Sequence, residues 1–190
     1  MLNVGGLHGA GNVVIATTNA SGSTSTRVGG SGNYILTGGW TNVATNAAPP
    51  TKYQLVIDMG GSQTFAGGLS LNMSNLLMRA GTLALDYTAN NSSKIDDSAV
   101  LTLFGGTLDL KGGTTAGTYH DEVVASTVLN EGASTISQSS GSSTVNLGAI
   151  TLSGGALNIT KANIAKTANA NDATGIISRR ITVAGSDWAA

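Results

Sequence analysis

Ionisable side chains are sparse in this chain: nine Lys and Arg, ten Asp and Glu and two His among 190 residues. Two places bring carboxylates together. Asp96-Asp97 falls between strand-like stretches, and Asp121-Glu122 follows His120. Two carboxyl groups held about 5–10 Å apart across a groove are the acid and base of glycoside hydrolysis. A polysaccharide-cleaving β-helix is therefore one reading of these residues. Adjacent positions on a strand point to opposite faces, however, so the same residues suit solvated loops. Asp58, Asp86 and Asp109 recur near strands, but their steps of 28 and 23 residues stack only approximately. A Ca²⁺ site would need about six to eight oxygens and a glycine-aspartate repeat, which is not visible. His8 and His120 lie 112 residues apart without a Glu or Cys at zinc-ligand spacing. No Gly-x-Ser-x-Gly elbow and no Gly-Lys-Ser/Thr phosphate loop occurs. The expectation is a protein with no catalytic residue, no metal and no cofactor.

Two further groups could bind rather than react. Arg179-Arg180 is the one basic doublet, able to grip a phosphate or carboxylate on a partner, but too small for a nucleic-acid patch. Trp40 and Trp188 could stack on sugars, or serve as packing residues or interface anchors. A net charge of −1 gives no field favouring nucleic acid or an anionic membrane. No apolar run is long enough for a membrane helix. The chain has no cysteine, which excludes disulfides and thiolate metal sites and leaves the redox compartment undecided. Met1 to Ala10 lacks a basic region followed by an apolar one, so it does not read as a signal peptide.

The elements that would hold such residues are announced by a repeat. Gly81-Thr82-Leu83-Ala84-Leu85, Gly106-Thr107-Leu108-Asp109-Leu110, Gly132-Ala133-Ser134-Thr135-Ile136 and Gly155-Ala156-Leu157-Asn158-Ile159 are near copies, their glycines stepping by 25, 26 and 23 residues. Alternation at period two puts Leu83, Leu85, Leu108, Leu110, Ile136, Leu157 and Ile159 on one face as the repeat core. Recurrence at this spacing marks stacked repeats. With 27 Gly and only 10% charged residues, against roughly 25% in ordinary domains, the surface is made of Ser, Thr, Asn and backbone. The spacing predicts an all-β fold, a right-handed parallel β-helix of about 25 residues per coil over residues 51–190.

Residues 1–50 differ. Arg27 is the only formally charged residue before Pro49-Pro50. Val13-Val14-Ile15 and Tyr34-Ile35-Leu36 are strand candidates separated by the Gly/Ser/Thr stretch from Asn19 to Gly32. The segment reads as an N-terminal arm or cap that pairs with something else, or as an irregular first rung of the same stack. On the first reading Val13, Val14, Ile15, Tyr34 and Trp40 join Arg179, Arg180 and Trp188 as candidate interface residues. Ile181 to Trp188 reads as a last strand whose Trp covers the open end.

The stretches Gly81-Thr82-Leu83-Ala84-Leu85-Asp86-Tyr87 and Leu101-Thr102-Leu103-Phe104-Gly105-Gly106-Thr107-Leu108, with the closing Gly175-Ile176-Ile177 and Gly185-Ser186-Asp187-Trp188-Ala189, resemble the β-helical passenger repeats of bacterial autotransporter-associated surface proteins. The resemblance covers a little over half the chain. It departs where Ser178-Arg179-Arg180 stands in place of the usual Gly-Gly-Trp. It implies a β-helix exposed at a cell surface, with no catalytic residues to carry over. β-Solenoids of phage fibre, spike and decoration proteins are also similar. The expected function is a non-enzymatic structural subunit of an extracellular assembly, foremost a phage virion component such as a capsid-decorating or fibre protein. A cell-surface filament or adhesin module is the alternative. Expected partners are further copies of the chain (a trimer or larger array), another virion or surface protein, or surface glycans; the expected location is a virion or bacterial surface.

Overall fold

The computed structural model describes residues 1–17, 23–44, 52–70 and 73–188. Among them there is no helix, and the chain winds through about six turns of a parallel β-solenoid, roughly 24 residues to a turn. The first face stacks Leu2–Val4, Ser23–Val28, the first half of Lys52–Phe65, the first half of Met73–Asp86, Val100–Leu103, Ser126–Leu129 and Ala149–Leu152, each parallel to the next. The second face stacks Asn33–Leu36, the later halves of the two long strands, Gly106–Lys111, Ala133–Gln138, Ala156–Ile159 and Ile181–Val183. The third face is two separate three-stranded sheets. One holds Val13–Thr17, Trp40–Ala44 and Leu69–Ser70; the other holds Asp121–Val123, Thr144–Asn146 and Ala165–Lys166.

The alternation that defines these strands builds the core. Leu83 pairs with Leu108, Leu108 with Ile136, Ile136 with Ile159 and Ile159 with Val183, forming one inward column. A second column runs Leu36, Phe65, Leu85 and Leu110. All seven expected repeat-core residues are buried and belong to one continuous cluster. Matching apolar side chains at about 4.8 Å spacing exclude water between coils.

The register differs from the glycine spacing at one step. Leu108 to Ile136 spans 28 residues, and Gly106 pairs with Ser134 rather than with Gly132. The slip is two residues, one full side-chain period, so the apolar residues stay inside. The glycines themselves make the bend between the first and second faces. Gly81 and Gly106 have φ of 78° and 76°, and a Cβ on Gly106 would lie 2.7 Å from the Gly81 carbonyl oxygen. Only a residue without a side chain allows coils to approach so closely there.

The segment read as an arm or cap, or else as an irregular first rung, follows the rung reading where it is described. Its described strands are laid on the stack: Leu2–Val4 pairs with Ser23–Val28, and Ser23–Val28 and Asn33–Leu36 both pair with Lys52–Phe65. Val28, Leu36 and Trp40 are buried in the common core, and Trp40 meets Phe65 edge-on at 5.3 Å between ring centroids. Ser23–Val28 also forms a strand within the Gly/Ser/Thr stretch. Thr26 and Val28 turn inward there and are buried, so the ladder overrides a composition that reads as loop. Pro49 and Pro50 lie outside the described residues.

Leu108 is 1% exposed between Leu83 and Ile136. Leu108→Asp would bury an unpaired carboxylate between two leucine-lined coils, and we expect a loss of more than about 4 kcal/mol. Urea denaturation followed by circular dichroism measures it; an unchanged midpoint would mean that this side chain does not face the core.

Candidate functional site

The chain's densest chemistry lies where the third face is interrupted. No strand joins Leu69–Ser70 to Asp121–Val123; instead residues 87–99 cross the place between them. Glu122 sits at an inward position of the upper sheet, in register with Val145 and Ala165, and is 0% exposed. Its Oε2 accepts from the Tyr87 hydroxyl and from the Lys94 N–H at 2.8 Å. Its Oε1 accepts from the Ile95 N–H at 3.3 Å and from Ser93 Oγ at 2.6 Å. The carboxylate thus supplies the acceptors that a neighbouring strand would have offered to this crossing segment.

Lys94 completes the junction from the other side. It is 1% exposed, and its Nζ donates to the carbonyls of Gly67 at 3.0 Å, Asn90 at 3.1 Å and Ala66 at 3.4 Å. Gly67 and Ala66 belong to the coil below. The ammonium also stands 4.9 Å from the centroid of the Tyr87 ring, and His120 stacks on the same ring at 5.2 Å. Burial lowers the Lys94 pKa to about 8, against the attraction of Glu122 and Asp86. Burial first, and then the Glu122 charge and hydrogen bond, pushes the Tyr87 hydroxyl far above its ordinary value. Both oxygens of Glu122 face the crossing segment and neither faces solvent, so this acid–base cluster presents no proton to an outside molecule.

The structure disperses the other acids. Asp121 lies on the surface, 3.2 Å from Lys166 Nζ. Asp96 closes a local turn by accepting from Ser98 N at 2.8 Å and Ser98 Oγ at 2.6 Å, and Asp97 is exposed. Asp58 pairs with Arg27 at 2.8 Å, and Asp109 accepts from Ser137 and Ser139. Asp58 is in register with Ala80, Asp109 with Ala84 and Asp86 with Lys111, so the three form no ladder. His8 accepts from the Ile35 N–H far from His120. Among the described residues no three His, Cys, Asp or Glu gather as metal ligands.

The candidate interface residues divide. Trp40 is 1% exposed and is a core residue, while Tyr34 and Val13 are half-buried and packed against the core. Val14 is 55% exposed. The side chains of Ile15 and Trp188 lie outside the described set; the Trp188 backbone pairs antiparallel with Thr182. Arg179 and Arg180 are exposed along a groove of about 320 Å³ beside Thr135, Asn158 and Thr182.

Lys94 and Tyr87 were not singled out by sequence. A lone Lys in a loop ordinarily reads as solvated, and its only sequence signal was position: it stands in the one repeat that lacks an apolar strand for the third face. Fold and site together define a parallel β-solenoid whose one buried acid–base cluster fastens coils together. No protein-family model, curated protein or solved structure matches the chain.

Two outcomes are expected. Glu122→Ala strands the Tyr87 hydroxyl and the Lys94 and Ile95 N–H groups and removes the larger of the two charge attractions on Lys94, costing about 3–5 kcal/mol in chemical denaturation. Stability should also rise between pH 8 and 10. In that window the unfolded chain, with an ordinary lysine pKa of 10.5, holds a proton that folded Lys94 has released. Above pH 10 stability should fall, because Tyr87 and Tyr53, the latter pushed up to about 12 by burial, ionise more readily unfolded. Melting temperatures from pH 7 to 11 check this, and Lys94→Met should abolish the rise while keeping the fall.

Proposed function

We propose that this protein is a non-enzymatic structural subunit of an extracellular assembly, and within that class a virion component such as a capsid-decorating or fibre protein. The observation that carries the reading is the use made of Glu122. The most enclosed acid among the described residues spends all its hydrogen-bonding capacity on joining coils, as a structural protein's acid would. Of the remaining carboxylates described above, Asp58, Asp96, Asp109 and Asp121 are each engaged by partners of their own, and Asp97 is exposed.

The surface supports the same reading. Few charges interrupt the faces, and one outward column carries Asn33, Ser62, Thr82, Thr107, Thr135, Asn158 and Thr182 in register. Uncharged rows of this kind can approach an identical row without the repulsion that would separate like-charged coils. Copies of the chain in a symmetric array are the partners proposed.

Light scattering with electron microscopy of the purified protein tests the proposal. A discrete homo-oligomer or a regular particle is expected. A monomer at high micromolar concentration would overturn assembly through its own copies, and open-ended filaments would favour a cell-surface fibre over a virion component.

A further inference from the structure

The loops at the corner between the second and third faces form a groove. Tyr119, His120, Asp121, Ser142, Thr144 and Lys166 line a depression of about 150 Å³. It adjoins a second of about 270 Å³ through the shared Ser142 and Thr144, and that one adds Gln138, Lys161 and Asn163. Neither alone reaches the roughly 300 Å³ at which small-molecule sites begin, but together they exceed it.

Its chemistry is specific. Tyr119 is 41% exposed, one of few large exposed apolar groups. The loop holding it is locked: Gly113 N donates to Thr118 O at 2.6 Å, Thr118 N and Oγ1 both donate to Thr115 O, and Ser142 N donates to Gly113 O at 3.1 Å. The backbone that carries the ring is therefore held before a ligand arrives, which lowers the ordering cost of binding. Beside it stand an acceptor-only carboxylate, Asp121, and a donor-only ammonium, Lys166, 3.2 Å apart and more than half exposed. Thr144 Oγ1 is buried and has no hydrogen-bond partner among the described residues.

We propose that this groove binds a neutral oligosaccharide. A pyranose has an apolar C–H face that packs on an aromatic ring. Its neighbouring hydroxyls each donate one hydrogen bond and accept others, so one can donate to Asp121 while the next accepts from Lys166. Ser142, exposed where the two depressions meet, offers a hydroxyl to the same ring or its neighbour. In the depression beside Tyr119 the Asp121–Lys166 pair balances its own charge, so this subsite favours a neutral sugar; Lys161, which donates to Gln138 Oε1 at 3.1 Å, stands in the second depression. The second depression gives the chain of sugars room to continue.

The test is binding of the whole protein to an array of neutral oligosaccharides spanning α- and β-linked hexoses and N-acetylhexosamines, followed by calorimetry on the best of them. Tyr119→Ala and Asp121→Ala should each weaken binding at least about tenfold at unchanged melting temperature, while Tyr119→Phe, which keeps the ring, retains it. Retention of no glycan on the array would overturn the proposal. So would equal affinity of both alanine variants, or a preference for acidic over neutral sugars. Oligomeric state is read separately, so failure here leaves the assembly reading standing, and the reverse holds too.

Discussion

The structure depends on one constraint: a buried backbone N–H or C=O must find a partner. On the first two faces each coil meets it with a strand above and a strand below. On the third face the repeat that contains residues 87–99 supplies no strand, and two charged side chains take its place. Lys94 caps carbonyls of the coil beneath, and Glu122 caps N–H groups of the crossing segment from above. A donor-only side chain and an acceptor-only one are the two that can do this without leaving a lone pair or a proton unmet. Their burial follows from the gap in the sheet.

Such a junction costs more to build than an apolar one. Desolvating an ammonium and a carboxylate is expensive, and well-packed hydrophobic side chains often serve stability as well or better. What the polar junction adds is register. Leucine columns tolerate a slip of two residues, as the step from Leu108 to Ile136 shows, because side chains remain inside at either register. A carboxylate that must meet Lys94 N, Ile95 N, Ser93 and Tyr87 accepts only one alignment of the coils on either side. Gln63 acts alike nearer the start of the chain: it is 0% exposed, and its amide both accepts from Leu7 N and donates to Leu7 O, each at 2.9 Å.

The solenoid was legible because its signal is redundant: the same glycine-and-leucine phrase recurs, and any copy predicts the others. Inward placement of Leu83, Leu108, Ile136 and Ile159 followed from alternation alone. The incorporation of residues 1–17 and 23–44 was less legible. Thr24, Thr26 and Val28 alternate as a strand should, but their Gly, Ser and Thr surroundings hide the period, and only the ladder to Lys52–Phe65 reveals it. The junction was hidden for a different reason. Tyr87, Lys94 and Glu122 lie 35 residues apart end to end, and what brings them together is the absence of a strand, which no local pattern records. Tyr119 carries no local signal, because exposure of an aromatic ring depends on the loop that holds it rather than on its spacing.

The division of labour between faces and corners follows from the same geometry. A stacked face repeats every coil, so most of its outward side chains are small and uncharged, and charged ones such as Arg27 and Asp58, or Asp121 and Lys166, pair across coils. Corners have no such obligation. Their loops differ in length from coil to coil, and the segments 112–120 and 139–143 project where no strand above or below limits them. Functional variety in scaffold proteins gathers on such loops because the elements beneath hold them still. Here the backbone bonds between Gly113, Thr115, Thr118 and Ser142 extend the rigidity of the stack into the corner. A protein built so can pack its uniform faces against copies of itself and still present a distinct chemistry at its edge.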